Sequence, residues 1–165
     1  MPRPDFYYKS IFEIPFNELY NNDNIRGLIF DIDNTLTIHN EDLPPDNTIA
    51  LLNELQKMGF KICLLTNNTR GRLRRFNKYL KLDGFSGALK PFTRGIKKAV
   101  AKMGTTKQET VIIGDQLFSD ILAGKNAGIK TILVKPITEK DFFSTKLKRL
   151  LERPFLRKYN INGFV

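Results

Sequence analysis

The sequence predicts an α/β protein with a mainly parallel five-stranded sheet flanked by helices. Two observations carry this expectation. Short apolar runs alternate along the chain with segments whose apolar residues recur near the helical period, and glycines punctuate the helical segments. Strands that alternate with helices are joined by right-handed crossovers, which make neighbouring strands parallel. With 165 residues the chain is long enough for one sizeable core, and no repeat, low-complexity tract or linker marks a second unit. A single domain over residues 1–165 is therefore expected.

Each element follows from local signals. Residues 27–31 form the first apolar run. Residues 46–59 read as a helix, because Ile49, Leu52, Leu55 and Met58 keep the helical spacing and Gly59 stops it. A second strand spans 60–65. A helix over 70–82 ends near Gly84, and a short third strand lies within 85–90. A helix over 93–103 is stopped by Gly104, and 110–114 forms the fourth strand. Residues 119–127 form a helix ended by Gly128, and a fifth strand over 129–135 is ended by Pro136. Ahead of these lies an aromatic segment, about 1–25, holding Phe6-Tyr7-Tyr8, Ile11-Phe12 and Ile14-Pro15-Phe16. It either packs against the C-terminal helix or marks the edge of a membrane-facing surface. That basic amphipathic helix, about 139–153, carries Phe143, Leu147, Leu150 and Leu151 on one face and Lys146, Lys148, Arg149 and Arg153 elsewhere. Such a helix either docks on the sheet or lies in a membrane interface.

The ends of the apolar runs carry the chemistry. Leu28-Ile29-Phe30 runs straight into Asp31-Ile32-Asp33-Asn34-Thr35-Leu36. Residues two apart on an extended chain face the same side, so Asp31 and Asp33 crowd like charges together unless the chain bends or a cation neutralises them. Mg²⁺ takes oxygen ligands and binds one or two carboxylates plus phosphate oxygens. An Asx turn is the structural alternative for this motif alone. Three further run ends accumulate beside it: Thr66-Asn67-Asn68, Lys90-Pro91, and Gly114-Asp115 followed by Asp120. In open α/β sheets ligands bind outside the carboxyl ends of the strands. Acids for a cation, a hydroxyl and amides for phosphate oxygens, and a lysine for developing charge form the inventory of metal-assisted phosphoryl transfer.

These four motifs, in this order, resemble those of the haloacid dehalogenase superfamily of phosphatases. The resemblance covers about residues 26–135. The strings Leu89-Lys90-Pro91, 111–120 (VIIGDQLFSD) and 123–136 (AGKNAGIKTILVKP) are similar to the YqeG-type branch, subfamily IIIA, and to phosphatidylglycerophosphate phosphatases. The resemblance implies a Rossmann-like fold with strand order 5-4-1-2-3 and a phosphoaspartyl intermediate on Asp31. It implies Asp33 as proton donor and acceptor, and Mg²⁺ held by Asp31, the main-chain carbonyl of Asp33, and Asp115. Thr66 and Lys90 are expected at the phosphate, with Asn67 in the same phosphate-binding motif shaping its loop. Asp120 is expected behind the metal ligands, orienting bound water or Lys90, while Asn34 and Thr35 hold the bent backbone.

Spacing also bears on substrate. The stretches between Asp33 and Thr66 and between Thr66 and Lys90 are too short for the mobile cap of many relatives, although 37–43 has room for a small flap. An open site suits a phosphate carried on something large: a lipid surface, a nucleic-acid end or a protein. The net charge of +10 and the run Arg70, Arg72, Arg74, Arg75, Lys78 and Lys81 on one expected helix point to an anionic partner or to a solvated helix face. Phosphatidylglycerophosphate at an anionic membrane is the favoured substrate. Nucleic acid is disfavoured because no base-stacking motif is present, and a binding protein without turnover is the alternative of another class. The single Cys63 excludes an internal disulfide and the single His39 argues against a histidine-based zinc site. No run approaches transmembrane length and no signal-peptide core precedes the first strand, so the expected location is cytoplasmic, at most peripheral on the inner membrane face.

Overall fold

The computed structural model describes residues 2–39, 41–138 and 154–155. Its strands are β1 (Phe6–Tyr8), β2 (Gly27–Phe30), β3 (Lys61–Leu65), β4 (Asp83–Phe85), β5 (Thr110–Gly114) and β6 (Lys130–Val134), all parallel, in the spatial order β1-β6-β5-β2-β3-β4. The five expected strands keep their expected order. The sixth is a correction. Part of the aromatic segment, whose expected contact with the helix over 139–153 lies outside the described residues, forms this strand and pairs with β6, Tyr7 opposite Leu133. Asp5 pins it there, its carboxylate accepting from the Thr131 amide and hydroxyl at 2.8 Å each. Three residues are too few for a readable alternation, so only the open edge of β6 reveals this strand.

β2 sits at the centre and is buried on both faces. Leu28 and Phe30 join Phe16, Leu52, Leu64 and Ile113 on one side. Ile29 joins Cys63, Leu65, Ile96 and Ile112 on the other. Double burial is why these strands read as unbroken apolar runs. Cys63 is a core thiol, pushed up to about 12 by burial, and is not a reactive one.

The helices are α1 (Phe16–Asn21), α2 (Asp46–Lys57), α3 (Arg70–Phe76), α4 (Arg94–Met103) and α5 (Leu122–Ala127). On α2 the predicted positions Leu52 and Leu55 are buried. Helix α3 is shorter than the expected 70–82. Asn77 follows it, donates to the Leu82 carbonyl at 2.6 Å and accepts the Leu82 N–H at 2.9 Å, folding 78–82 into a loop. The third strand is Asp83–Phe85, not 85–90, because positive φ at Gly87 (57°) and Leu89 (53°) forbids extended chain there. The helix expected over 119–127 opens with a π-helical turn, Leu117–Ile121, a feature that recurs at functional sites.

Among the described residues, a loop and α2 fill the stretch between Asp33 and Thr66, and α3 and β4 the stretch from Thr66 to Lys90. Among the described residues, none forms a cap domain over the C-terminal ends of β2 and β5. No described helix is long and apolar enough to cross a membrane. The amphipathic helix expected over 139–153, and Asn40 of the expected flap, lie outside the described residues.

Candidate active site

β2 and β5 are neighbours, with Phe30 opposite Ile113. Asp31 and Asp115 therefore leave adjacent strands at the same end of the sheet. Asp120 joins them from the π-helical turn. The three buried carboxylates each offer an oxygen within 4.8 Å of the others. Lys90 reaches in from the loop before α4. Its Nζ donates to Asp31 Oδ1 at 2.6 Å, to Asp120 Oδ1 at 2.6 Å and to the Leu65 carbonyl at 2.9 Å. The Thr35 hydroxyl donates to Asp115 Oδ1 at 3.3 Å, and the Gln116 N–H to Asp120 Oδ2 at 3.1 Å.

Gly114 makes this arrangement possible. A Cβ at that position would collide with the Asp120 side chain. The glycine ahead of Asp115 is thus required for close approach of a carboxylate to the strand end.

The electrostatics of the cluster are strained. Burial raises Asp31 well above the usual carboxylate range; Lys90 works against this, while Asp120 and Asp115 add to it. Burial works to lower Lys90, but the Asp120 and Asp31 carboxylates outweigh it and hold the ammonium above its ordinary value. One ammonium faces three carboxylates. The surplus of buried negative charge and the all-oxygen donor set fit a hard divalent cation, which removes the penalty.

Asn67 and Thr66 sit at the end of β3. Asn67 Oδ1 accepts the Lys90 N–H at 2.7 Å and its Nδ2 donates to the Lys90 carbonyl at 3.2 Å. The side chain grouped with the phosphate binders is therefore engaged in bracing the lysine loop. The buried Thr66 hydroxyl accepts the Asn68 N–H at 3.0 Å, which leaves its own proton to donate.

Asp33 stands apart from the acidic cluster. Its Oδ1 accepts from Arg72 Nε at 3.2 Å and from a terminal Arg72 nitrogen at 3.1 Å, and its Oδ2 accepts from Asn68 Nδ2 at 3.2 Å. His39 Nδ1 lies 3.7 Å away. Arg72, which sequence reasoning counted in a basic approach surface, is only 5% exposed. Lys78 and Lys81 lie beyond the end of α3, while Arg70, Arg74 and Arg75 are exposed on it. Sequence reasoning missed Arg72 and Asn68. A signal was available. Thr69 caps α3, its hydroxyl accepting the Arg72 N–H at 3.2 Å. Arg72 therefore occupies the first-turn position where a capping box carries an acid, and a cation there opposes the helix dipole unless a carboxylate faces it.

The chain matches the haloacid dehalogenase-like hydrolase family over residues 39–134 and belongs to that family. Its enzyme class is phosphatase. It is 33% identical over 162 residues to the probable phosphatase YqeG of Bacillus subtilis (strain 168), spanning 98% of this chain and 94% of that protein. Over 100 residues it is 32% identical to the pyrophosphatase PpaX of Halalkalibacterium halodurans, covering 55% of this chain and 46% of that one. Among solved structures, CbbY from Rhodobacter sphaeroides in complex with phosphate superposes with a TM-score of 0.60 at 12% identity, covering 73% of this chain and 91% of CbbY. The cobalt-bound deoxy-D-mannose-octulosonate 8-phosphate phosphatase YrbI of Haemophilus influenzae gives 0.56 at 18% identity, covering 76% and 75%. Both likenesses concern the fold.

Proposed function

We propose that the protein hydrolyses a phosphate monoester through a phosphoaspartyl intermediate, and that its substrate is an anionic phospholipid phosphate of the phosphatidylglycerophosphate type. The observation that carries the chemistry is Asp31 Oδ1, held by Lys90 at 2.6 Å beside Asp115 and Asp120. The Asp31 carboxylate forms a bond to phosphorus as the ester P–O bond breaks, and Asp33 gives a proton to the departing alkoxide. Water then attacks phosphorus, Asp33 takes its proton, and Asp31 leaves with phosphate released. Lys90 and the Thr66 hydroxyl neutralise and orient the phosphoryl oxygens. Asp31, Asp115 and the Asp33 carbonyl are the groups to hold Mg²⁺, with Asp120 behind them. Bound there, the cation supplies charge neutralisation at the transferring phosphoryl group.

The lipid reading draws support from the rim of the site. Among the described residues, the exposed large apolar side chains are Phe12, Leu43, Tyr79, Leu89, Phe92 and Ile137. All but Tyr79 lie in segments that follow the C-terminal end of a strand, the end where Asp31 and Asp115 open. A cavity of about 460 Å³ on the same side, lined by Lys9, Ile11, Phe12, Leu36 and Ile137, shares Thr35 with the acidic cluster. Exposed apolar groups around a polar site suit a substrate presented at a membrane interface. The test is Mg²⁺-dependent phosphate release from phosphatidylglycerophosphate in vesicles, a 5′-phosphorylated oligonucleotide and a phosphopeptide. The lipid should be turned over fastest, and Phe92→Gln with Leu43→Gln should slow the lipid alone. Preference for the oligonucleotide or the peptide removes the lipid reading and leaves the chemistry standing.

A further inference from the structure

Arg72 and Asn68 together occupy both oxygens of Asp33. Arg72 places Nε and one terminal nitrogen on Oδ1, at 3.2 and 3.1 Å, and Asn68 places its amide on Oδ2 at 3.2 Å. Both donors belong to the seven-residue stretch that opens with Thr66. That stretch also braces Lys90 through Asn67. Arg72 is fixed in turn. Its main-chain N–H bonds the Thr69 cap, its guanidinium lies 5.8 Å from the Phe76 ring centroid, and its side chain is 5% exposed. A buried guanidinium is costly unless it has an anion to face. A rigid arginine fork restricts a carboxylate to few orientations, and here a second donor closes the other oxygen.

We infer that Arg72, assisted by Asn68, is the positioning residue for Asp33: it selects the orientation from which that carboxylate exchanges protons with the leaving group and with water. This inference rests on the proton-transfer role proposed for Asp33 and adds what controls it. A proton donor misplaced by an ångström loses much of its effect while substrate affinity is untouched. Loss of Arg72 should therefore appear in kcat, on substrates whose leaving group needs a proton, and not in KM.

The test is a double-mutant cycle on the whole protein with Mg²⁺ present, using an alkyl phosphate and p-nitrophenyl phosphate. Arg72→Gln should lower kcat on the alkyl phosphate by about 10- to 100-fold, with a loss below about 3-fold on the aryl phosphate and KM within about twofold on both. Arg72→Lys should recover part of the alkyl-phosphate rate. In the Asp33→Asn background, Arg72→Gln should cost nothing further, because residues acting through one group are not additive. Asn68→Ala should show the same pattern at smaller amplitude, and it supplies the cycle where Arg72→Gln does not fold. Equal losses on both substrates in the pre-steady-state burst, which reads phosphorylation of Asp31 before water attacks, overturn the inference, as do losses that multiply with Asp33→Asn. Under those outcomes a leaving-group-dependent loss in Asp33→Asn alone keeps the proposed chemistry intact. An Asp33→Asn variant with full activity on both substrates removes the proton-transfer role and this inference with it.

Discussion

Asp31 and Asp33 are the same residue type two positions apart, yet the fold gives them different surroundings. Asp31 lies in a closed cluster with Asp115 and Asp120 and shares one lysine ammonium, and burial raises its pKa. Asp33 lies toward α3, with an arginine on one oxygen and an asparagine on the other. The chain turns immediately after them. Asn34 takes φ 65° and its N–H bonds the Thr37 carbonyl at 2.7 Å. The crowding that an extended chain imposes is thus relieved by giving each acid its own cation on a different element. The arrangement around Asp31 leaves a surplus of buried negative charge, whereas that around Asp33 gives its carboxylate a facing cation.

That contrast can be broken most severely at Asp31. Asp31→Asn should remove turnover by about 10⁵-fold or more, because an amide forms no acyl phosphate, while circular dichroism and Tm stay near those of the parent. Substantial steady-state phosphate release from that variant ends the nucleophile assignment. Metal dependence comes next. EDTA should bring activity to background and Mg²⁺ should restore it, with Asp115→Ala raising the Mg²⁺ concentration required and Ca²⁺ substituting poorly. Full turnover in chelator would show that the acidic cluster works without a cation.

Gly114→Ala is a finer probe of the cluster, because it adds one methyl against the Asp120 side chain. An overpacking cost of about 1–3 kcal/mol is expected in urea melts, together with a higher Mg²⁺ requirement. An unchanged metal titration would mean that Asp120 has no part in holding the cluster. The smallest effect on chemistry belongs to the exposed cations. Replacing Arg70, Arg74, Lys78 and Lys81 with Gln should leave p-nitrophenyl phosphate turnover within about twofold. Flotation with anionic vesicles should weaken, since each cation near such a surface contributes about 1 kcal/mol and is screened by salt. Equal flotation of parent and variant at low salt would separate these cations from the membrane. Arg72 is left out of that set, because its burial on Asp33 makes it part of the site.

The residues that report on composition and order along a strand were legible in the chain. Asp31, Thr66 and Asp115 each directly follow a strand, and a parallel sheet brings such ends together whatever the details between them; Lys90 joins them from the loop after β4. The order of the five expected strands followed from the same alternation. Legibility failed where the outcome depends on what a segment meets. Phe6–Tyr8 is a strand only because β6 presents an open edge. The third strand moved to Asp83–Phe85 because the lysine loop needs left-handed backbone at Gly87 and Leu89.

The sequence by itself determined the alternation of strand and helix, the end of the sheet where chemistry gathers, and the residue types delivered there. These are local properties: apolar periodicity, glycine and proline punctuation, and the position of polar residues after each run. Tertiary structure alone decided which charge faces which. Arg72 reads as one of six cations on a basic run, and only the packing of α3 against the turn after β2 assigns it to Asp33 while its neighbours stay in solvent. Charge pairing depends on distances across elements that the chain encodes far apart, at separations of 39 residues for Arg72 and Asp33 and 59 for Lys90 and Asp31. No local pattern carries that information.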